Sequence, residues 1–186
     1  MNRGIYIENV ISHYKKNWGD DCNTLQWRKG PTHKHPPNFR VLEFPPNKQH
    51  KMWTYGTVGM SCEKHEHAIE LHMFSPYQTE RIVELLTIVA CFHYNDETLG
   101  LNHRINFGEP WLEQSKCTRW FISLPYLDGP ELEVLCVDDL HVSFLWLIPI
   151  TDQEAEIVDI DGVEGLESRF ESERFNYLDP NRASVV

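Results

Sequence analysis

The order of apolar and polar positions along this 186-residue chain predicts helices at both ends and strands between them. Ile7, Val10, Ile11, Tyr14 and Trp18 share one face at helical spacing, and Gly19 is placed to end that helix. A polar, proline-containing loop runs from Asp20 to Asn38. Phe39 to Phe44 reads as a strand closed by Pro45 and Pro46. Met52 to Cys62 reads as a second, in which Gly56 and Gly59 signal bulges or close backbone packing. From Ala68 to Phe74, Ile69, Leu71 and Met73 alternate with Glu70 and His72, the pattern of a half-buried strand. Ser75 and Pro76 then offer a cap and a first-turn proline to a helix with Ile82, Leu85, Leu86, Val89 and Ala90 on its apolar face. After a turn at Asn95 to Gly100, strands are predicted at Arg104 to Phe107, Thr118 to Leu124 and Leu132 to Val137.

The last forty residues carry the clearest pattern. Val142 to Ile150 is apolar at nearly every position and too short to span a bilayer, so it reads as a strand buried on both faces. Thr151 with Glu154 forms a capping box, and Asp161 with Glu164 repeats that spacing. Val163, Leu166 and Phe170 recur at helical spacing, with Glu164, Glu167, Ser168 and Glu171 facing away. The expected path is strand, short helix, turn at Gly162, second helix, extended tail. Together these elements predict an α+β fold, a single domain on a mixed, mostly antiparallel sheet with flanking helices. Residues 1–38 supply an N-terminal helix and loop to the domain that 39–186 complete.

Charge sharpens the picture of the C-terminal stretch. Asp152 to Asp179 holds ten acids against Arg169 and Arg174, a net of −8 out of −11 for the chain. Such a face steers a basic partner, although glutamate-rich surface helices also serve solubility. A pI near 5.3 argues against nucleic acid as ligand, because phosphate binding needs clustered lysine and arginine. The N-terminus lacks the apolar core and cleavage site of a signal peptide, which points to the cytoplasm and away from a membrane.

Candidate chemistry is sparse. The five cysteines (Cys22, Cys62, Cys91, Cys117, Cys136) form no C-x-x-C pair and read as reduced thiols, with Cys62, Cys91 and Cys136 in segments where buried, inert packing is expected. His65 and His67 share a strand face but His72 falls on the other, and two ligands do not make a site, so no metal or cofactor is expected. His33 and His35 sit in a loop. There is no G-x-S-x-G elbow and no glycine-rich phosphate loop, and Asp138-Asp139 reads as an ordinary hairpin turn. No catalytic residue is assigned; a hydrolase with a pocket hidden from the sequence is the alternative. Among the aromatic residues, Trp53, Tyr55, Trp120 and Trp146 read as core. Trp111, after the Gly108-Glu109-Pro110 turn and beside Glu109 and Glu113, reads as an exposed anchor for a partner. The candidate partner-binding residues are therefore Glu164, Glu167, Glu171, Trp111, Glu109 and Glu113.

Several segments in order carry a family resemblance: RVLEFPP (Arg40 to Pro46), WTYGTVGMS (Trp53 to Ser61), IELHMFSP (Ile69 to Pro76), INFGEPWLEQSKCTRWFISLPY (Ile105 to Tyr126), WLIPIT (Trp146 to Thr151) and DPNRASVV (Asp179 to Val186). From Arg40 onward the chain resembles the Suppressor of fused (SUFU) domain in its bacterial single-domain form. The resemblance implies that fold and a protein that acts by binding. Animal Suppressor of fused restrains a transcription factor with the help of a second domain, so that role is not carried over. Bacterial single-domain relatives look like immunity proteins that neutralise a toxin, which implies a protein partner such as a basic toxin domain.

Overall fold

The computed structural model describes residues 3–61, 68–137, 140–173 and 175–186. His65, His67, Cys62 and the Asp138-Asp139 turn lie outside the described residues. The elements in chain order are α1 (Arg3–Trp18), β1 (Asn23–Leu25), a 3-10 turn at Thr32–Lys34, β2 (Arg40–Phe44), β3 (Trp53–Val58) and β4 (Ala68–Ser75). They continue with α2 (Glu80–Asn95), β5 (Arg104–Asn106), β6 (Arg119–Ser123), α3 (Pro130–Glu133), β7 (Val134–Val137), β8 (Leu140–Ile150) and α4 (Asp152–Ser172). This is the expected α+β class on a mixed, mostly antiparallel sheet, with β4 and β8 parallel. The chain divides into two units, residues 1–100 with 124–146, and 101–123 with 147–186.

In the first unit the strands are hydrogen-bonded in the order β1-β2-β3-β4-β8, with β7 pairing the start of β8. Tyr14 of α1 lies against Gly56, while the Thr79 amide before α2 donates to Tyr55 Oη. Neighbouring strand residues point to opposite faces, so α1 and α2 cover the two sides of this sheet. A Cβ on Gly56 would sit 2.7 Å from Tyr14 Cζ, so close packing rather than a bulge explains this glycine. The core under α1 is Tyr6, Val10, Tyr14 and Trp18 against Leu42, Phe44, Val142 and Phe144. The helix ends at Trp18, where Gly19 takes φ 102° and returns its amide to the Lys15 carbonyl.

Several expectations change here. Strand β4 is buried on both faces: Glu70 and His72, read as the open side of a half-buried strand, are fully buried because α1 covers them. Helix α2 begins four residues beyond Ser75-Pro76; its cap is Thr79, whose side chain accepts the Arg81 amide. Ser75 instead exchanges hydrogen bonds with the Tyr77 backbone. Leu132 lies in the single turn α3 rather than in a strand, because Gly129-Pro130 starts a helical turn there. The loop after α1 contains the short edge strand β1, which polar residues concealed.

In the second unit, the end of β8 continues the strand path through β6 to β5. Helix α4 contacts β6, and Gly162 (φ 75°, ψ −179°) divides α4 at the turn expected there. Leu166 is fully buried, with Val163 and Phe170 half-buried beside it on the predicted apolar stripe.

Candidate interaction surface

The start of α4 is built by its cap. Thr151 Oγ1 accepts the Glu154 amide and Glu154 returns a carboxylate oxygen to the Thr151 amide, completing the predicted capping box. The carboxylate does a second task. Fully buried, it receives both terminal nitrogens of Arg182, at 2.5 and 2.7 Å, and the Val185 amide at 3.0 Å. Burial alone would push the Glu154 carboxyl up, but the bonds and charge of Arg182 outweigh it and hold it below its ordinary value. Arg182 also donates to the Pro149 carbonyl, so the C-terminal tail is tied to β8 and α4 together.

The same pairing depletes the acidic surface that sequence counting implied. Asp152 pairs with Arg119, Asp159 with Arg104, Asp161 with Arg169, and Glu154 with Arg182. Counting the three arginines that lie outside Asp152–Asp179, the net −8 becomes −5. Of the residues singled out, Glu164 and Glu171 are exposed, whereas Glu167 is half-buried and accepts a bond from Ser123 Oγ at 3.3 Å. The acidic neighbours Glu109 and Glu113 are exposed. Trp111 is not an anchor: it is 1 % exposed, with Leu112 and Cys117 also buried nearby. Its amide donates to the Cys117 carbonyl, closing the 111–117 turn. Turn residues and acidic neighbours misled because an indole's area favours burial even within an irregular segment. The exposed apolar residue of this region is Ile160, 75 % accessible just before the Gly162 break. As a single residue between Asp159 and Asp161, it carried no sequence signal.

The polar groups inside the first unit are arranged for structure. Ser61 Oγ lies 2.9 Å from His93 Nε2, a spacing that resembles a nucleophile and its base. His93 Nδ1, however, accepts the Leu99 amide, so a neutral ring carries its proton on Nε2 and donates to Ser61. Ser61 also donates to the Ile69 carbonyl and accepts its amide. The pair therefore has no free base and ties Ser61 to β4. Glu70 is held by Tyr6 Oη, Thr57 Oγ1 and the amides of Gly59 and Met60; burial pushes its carboxyl up to about 7 despite these donors. Asp128 accepts Trp18 Nε1 at 2.6 Å and sits 3.4 Å from His50 and 3.6 Å from the buried His72, whose pKa burial lowers to about 3. Among the described residues no three ligating side chains are grouped to hold a metal ion. Cys136, expected to be buried, is exposed with Sγ 3.3 Å from His141 Nδ1, because β7 is a border strand of the ladder.

A second surface escaped sequence reading. A cavity of about 340 Å³ opens in the loop between β1 and β2, walled by Trp27, Pro36, Pro37 and Phe39, with Arg28 and His35 at its polar side. The signal was available: no acid occurs between Asp21 and Glu43, while Arg28, Lys29, Lys34 and Arg40 do.

Comparison with known proteins then places the chain. A family model described as Suppressor of fused protein (SUFU) matches residues 35–183. A solved SUFU homologue from Neisseria gonorrhoeae FA 1090 is 34 % identical, covers 98 % of both chains and superposes with a TM-score of 0.85. The chain belongs to the Suppressor of fused family. Two more distant structures share the SUFU fold: the Sufu–Fu complex (13 % identity, TM-score 0.73, covering 97 % of this chain and 92 % of that one) and Drosophila Suppressor of Fused (14 %, 0.71, 97 % of this chain). The chain spans about half of the Drosophila protein, 51 % of its length. A search of curated proteins found no match. No helix among the described residues of this SUFU chain is long and apolar enough to cross a membrane.

Proposed function

We propose that this SUFU chain is a protein-interaction module and acts in the cytoplasm as an immunity protein, neutralising a toxin by direct binding. Family membership supports the binding role, and the exposure of Ile160 on α4 is the observation that carries the choice of surface. We take this open isoleucine as the side chain that a partner's apolar pocket covers. On the same helix Glu156, Glu164 and Glu171 are exposed and make no ion pair among the described residues. Their charge suits a basic toxin domain, with Glu109 and Glu113 as secondary candidates.

The test is to screen the products of the neighbouring genes for a toxin domain and to co-express this chain with any that is found. The reading expects restored growth and a complex between the purified proteins. Ile160→Asp should weaken that complex. Reversing Glu156, Glu164 and Glu171 to lysine should slow association about ten-fold at low salt, less at high salt. A protein that neither restores growth nor binds the toxin domain overturns the function. A triple reversal with wild-type association takes α4 out of the interface.

A further inference from the structure

The basic loop of the first unit differs in kind from its acidic surroundings. In a chain of net charge −11, residues 22–42 contain four lysines and arginines, two histidines and no acid. Arg28, Lys29 and Lys34 are exposed, and none of them makes an ion pair among the described residues. Among the described residues Arg28 donates to the Gln26 side-chain oxygen, at 3.4 Å, and the Lys29 ammonium lies 4.7 Å over the Trp27 ring. Unopposed cations clustered on a loop repel one another, and an acidic ligand relieves that repulsion.

Arg28 lines the cavity, Lys29 and Lys34 adjoin its lining residues in the chain, and its wall is largely apolar. Phe39 and Pro36 are buried, and Trp27 and Pro37 are half-buried. A volume of about 340 Å³ lies at the small end of ligand pockets, the scale of one large side chain and its neighbours. The positive charges are spread along the loop at Arg28, Lys29 and Lys34. The cavity also adjoins a strand edge. Among the described residues β1 ends the strand order, paired with β2, and its outer edge is where an added strand would pair with Asn23–Leu25. The chain runs from that edge into Gln26 and Trp27 without a break.

We propose that the edge of β1 and this cavity dock an extended acidic segment of a partner protein, one apolar side chain filling the cavity while flanking carboxylates meet Arg28, Lys29 and Lys34. The site is distinct from α4 and does not depend on the toxin reading. The test titrates the ¹⁵N-labelled full chain with the synthetic peptide Asp-Glu-Glu-Leu-Tyr-Glu-Asp, alongside a version with lysine at every acidic position and inorganic pyrophosphate. The acidic peptide should shift the Trp27 indole N–H and the amides of residues 23–39, and the lysine version should not. R28E, K29E and K34E together should weaken the peptide by about ten-fold or more, as added salt should. The neutral set R28Q, K29Q and K34Q, checked for an unchanged melting temperature, should weaken it by less. Absent shifts at millimolar peptide, equal binding of the lysine peptide, or undiminished affinity in the reversed variant would each overturn the proposal. Pyrophosphate giving the same shifts at the same concentration would make the cavity a small-anion site and overturn it as well.

Discussion

Glu70 in the first unit and Glu154 in the second are equally inaccessible, yet their surroundings answer the burial of a carboxylate in opposite ways. Glu154 is given a counter-ion, Arg182, and its carboxyl is held low. Glu70 is given neutral donors, two hydroxyls and two backbone amides, and its carboxyl is pushed up to about 7. Hydrogen bonds alone do not offset desolvation here, whereas bonds combined with a full opposite charge do. The acid near the chain end is therefore fixed as an ion, and the acid under α1 sits at the edge of protonation.

The largest effect should come from removing the counter-ion. Arg182→Ala leaves Glu154 buried and unpaired, and breaking such a pair costs about 3–5 kcal/mol, measured by urea denaturation. It also frees the tail, since Pro149 and Val185 are joined to this pair. The double variant Glu154→Gln, Arg182→Met should recover much of the loss. If Arg182→Ala is no worse than the double variant, the ion pair is not what secures the tail.

The next prediction concerns pH. Glu70 has an ordinary value of 4.5 and a folded value of about 7, so the folded state holds the extra proton between them. Stability from this group is present below about pH 4.5 and is lost as pH rises toward 7, by roughly 3 kcal/mol at one pKa unit per 1.36 kcal/mol. His72, two residues along β4, runs the other way: its value falls from 6.5 to about 3, so its contribution is lost as pH falls through that window. Glu154 adds to the acid-side loss as pH drops below its unfolded value. A stability maximum near pH 6 is expected. Glu70→Gln should flatten the decline between pH 6 and 8 and leave the acid limb intact. An unchanged alkaline limb in that variant would mean that Glu70 is ionised throughout.

Much of this architecture could be read from the sequence, and the failures share a cause. The Trp18–Gly19 helix end, the Thr151–Glu154 box and the break at Gly162 depend on residues within four positions, which a sequence displays. What escaped depends on segments far apart in the chain. Glu70 looked exposed because alternation reports one dry face, and only the packing of Tyr6 from α1, 64 residues earlier, closes the other. The acidic stretch looked like open charge because Arg104 and Arg119, which neutralise part of it, come from β5 and β6. Trp111 looked like an anchor because its turn and acidic neighbours say nothing of the packing that buries it. The basic loop was legible as composition and was passed over as an ordinary polar loop.

A smaller effect tests how Glu70 is held. Tyr6→Phe deletes the 2.7 Å bond from Tyr6 Oη and leaves the ring in the α1 core. Removing one donor to a buried carboxyl should cost about 1–2 kcal/mol at pH 8, where Glu70 is ionised, and less at pH 5, where it is protonated. The difference between the two pH values is the informative quantity. An equal loss at both would assign the cost to packing around the ring.

The smallest effect separates charges that hold the fold from charges that do not. Glu164 and Glu171 on α4, and Arg28, Lys29 and Lys34 on the loop, are exposed and without ion pairs among the described residues. Reversing either set should change unfolding free energy by about 0.5 kcal/mol or less per site, because surface substitutions away from caps and buried partners stay within that range. Arg182→Ala, which alters one unit of charge where each reversal alters two, should exceed this several-fold. The ratio measures how far burial, rather than charge number, decides which ionised residues this fold needs. A reversal of Glu164 and Glu171 that destabilises as strongly as Arg182→Ala would mean that the exposed acids of α4 are structural, and would remove them from the binding surface.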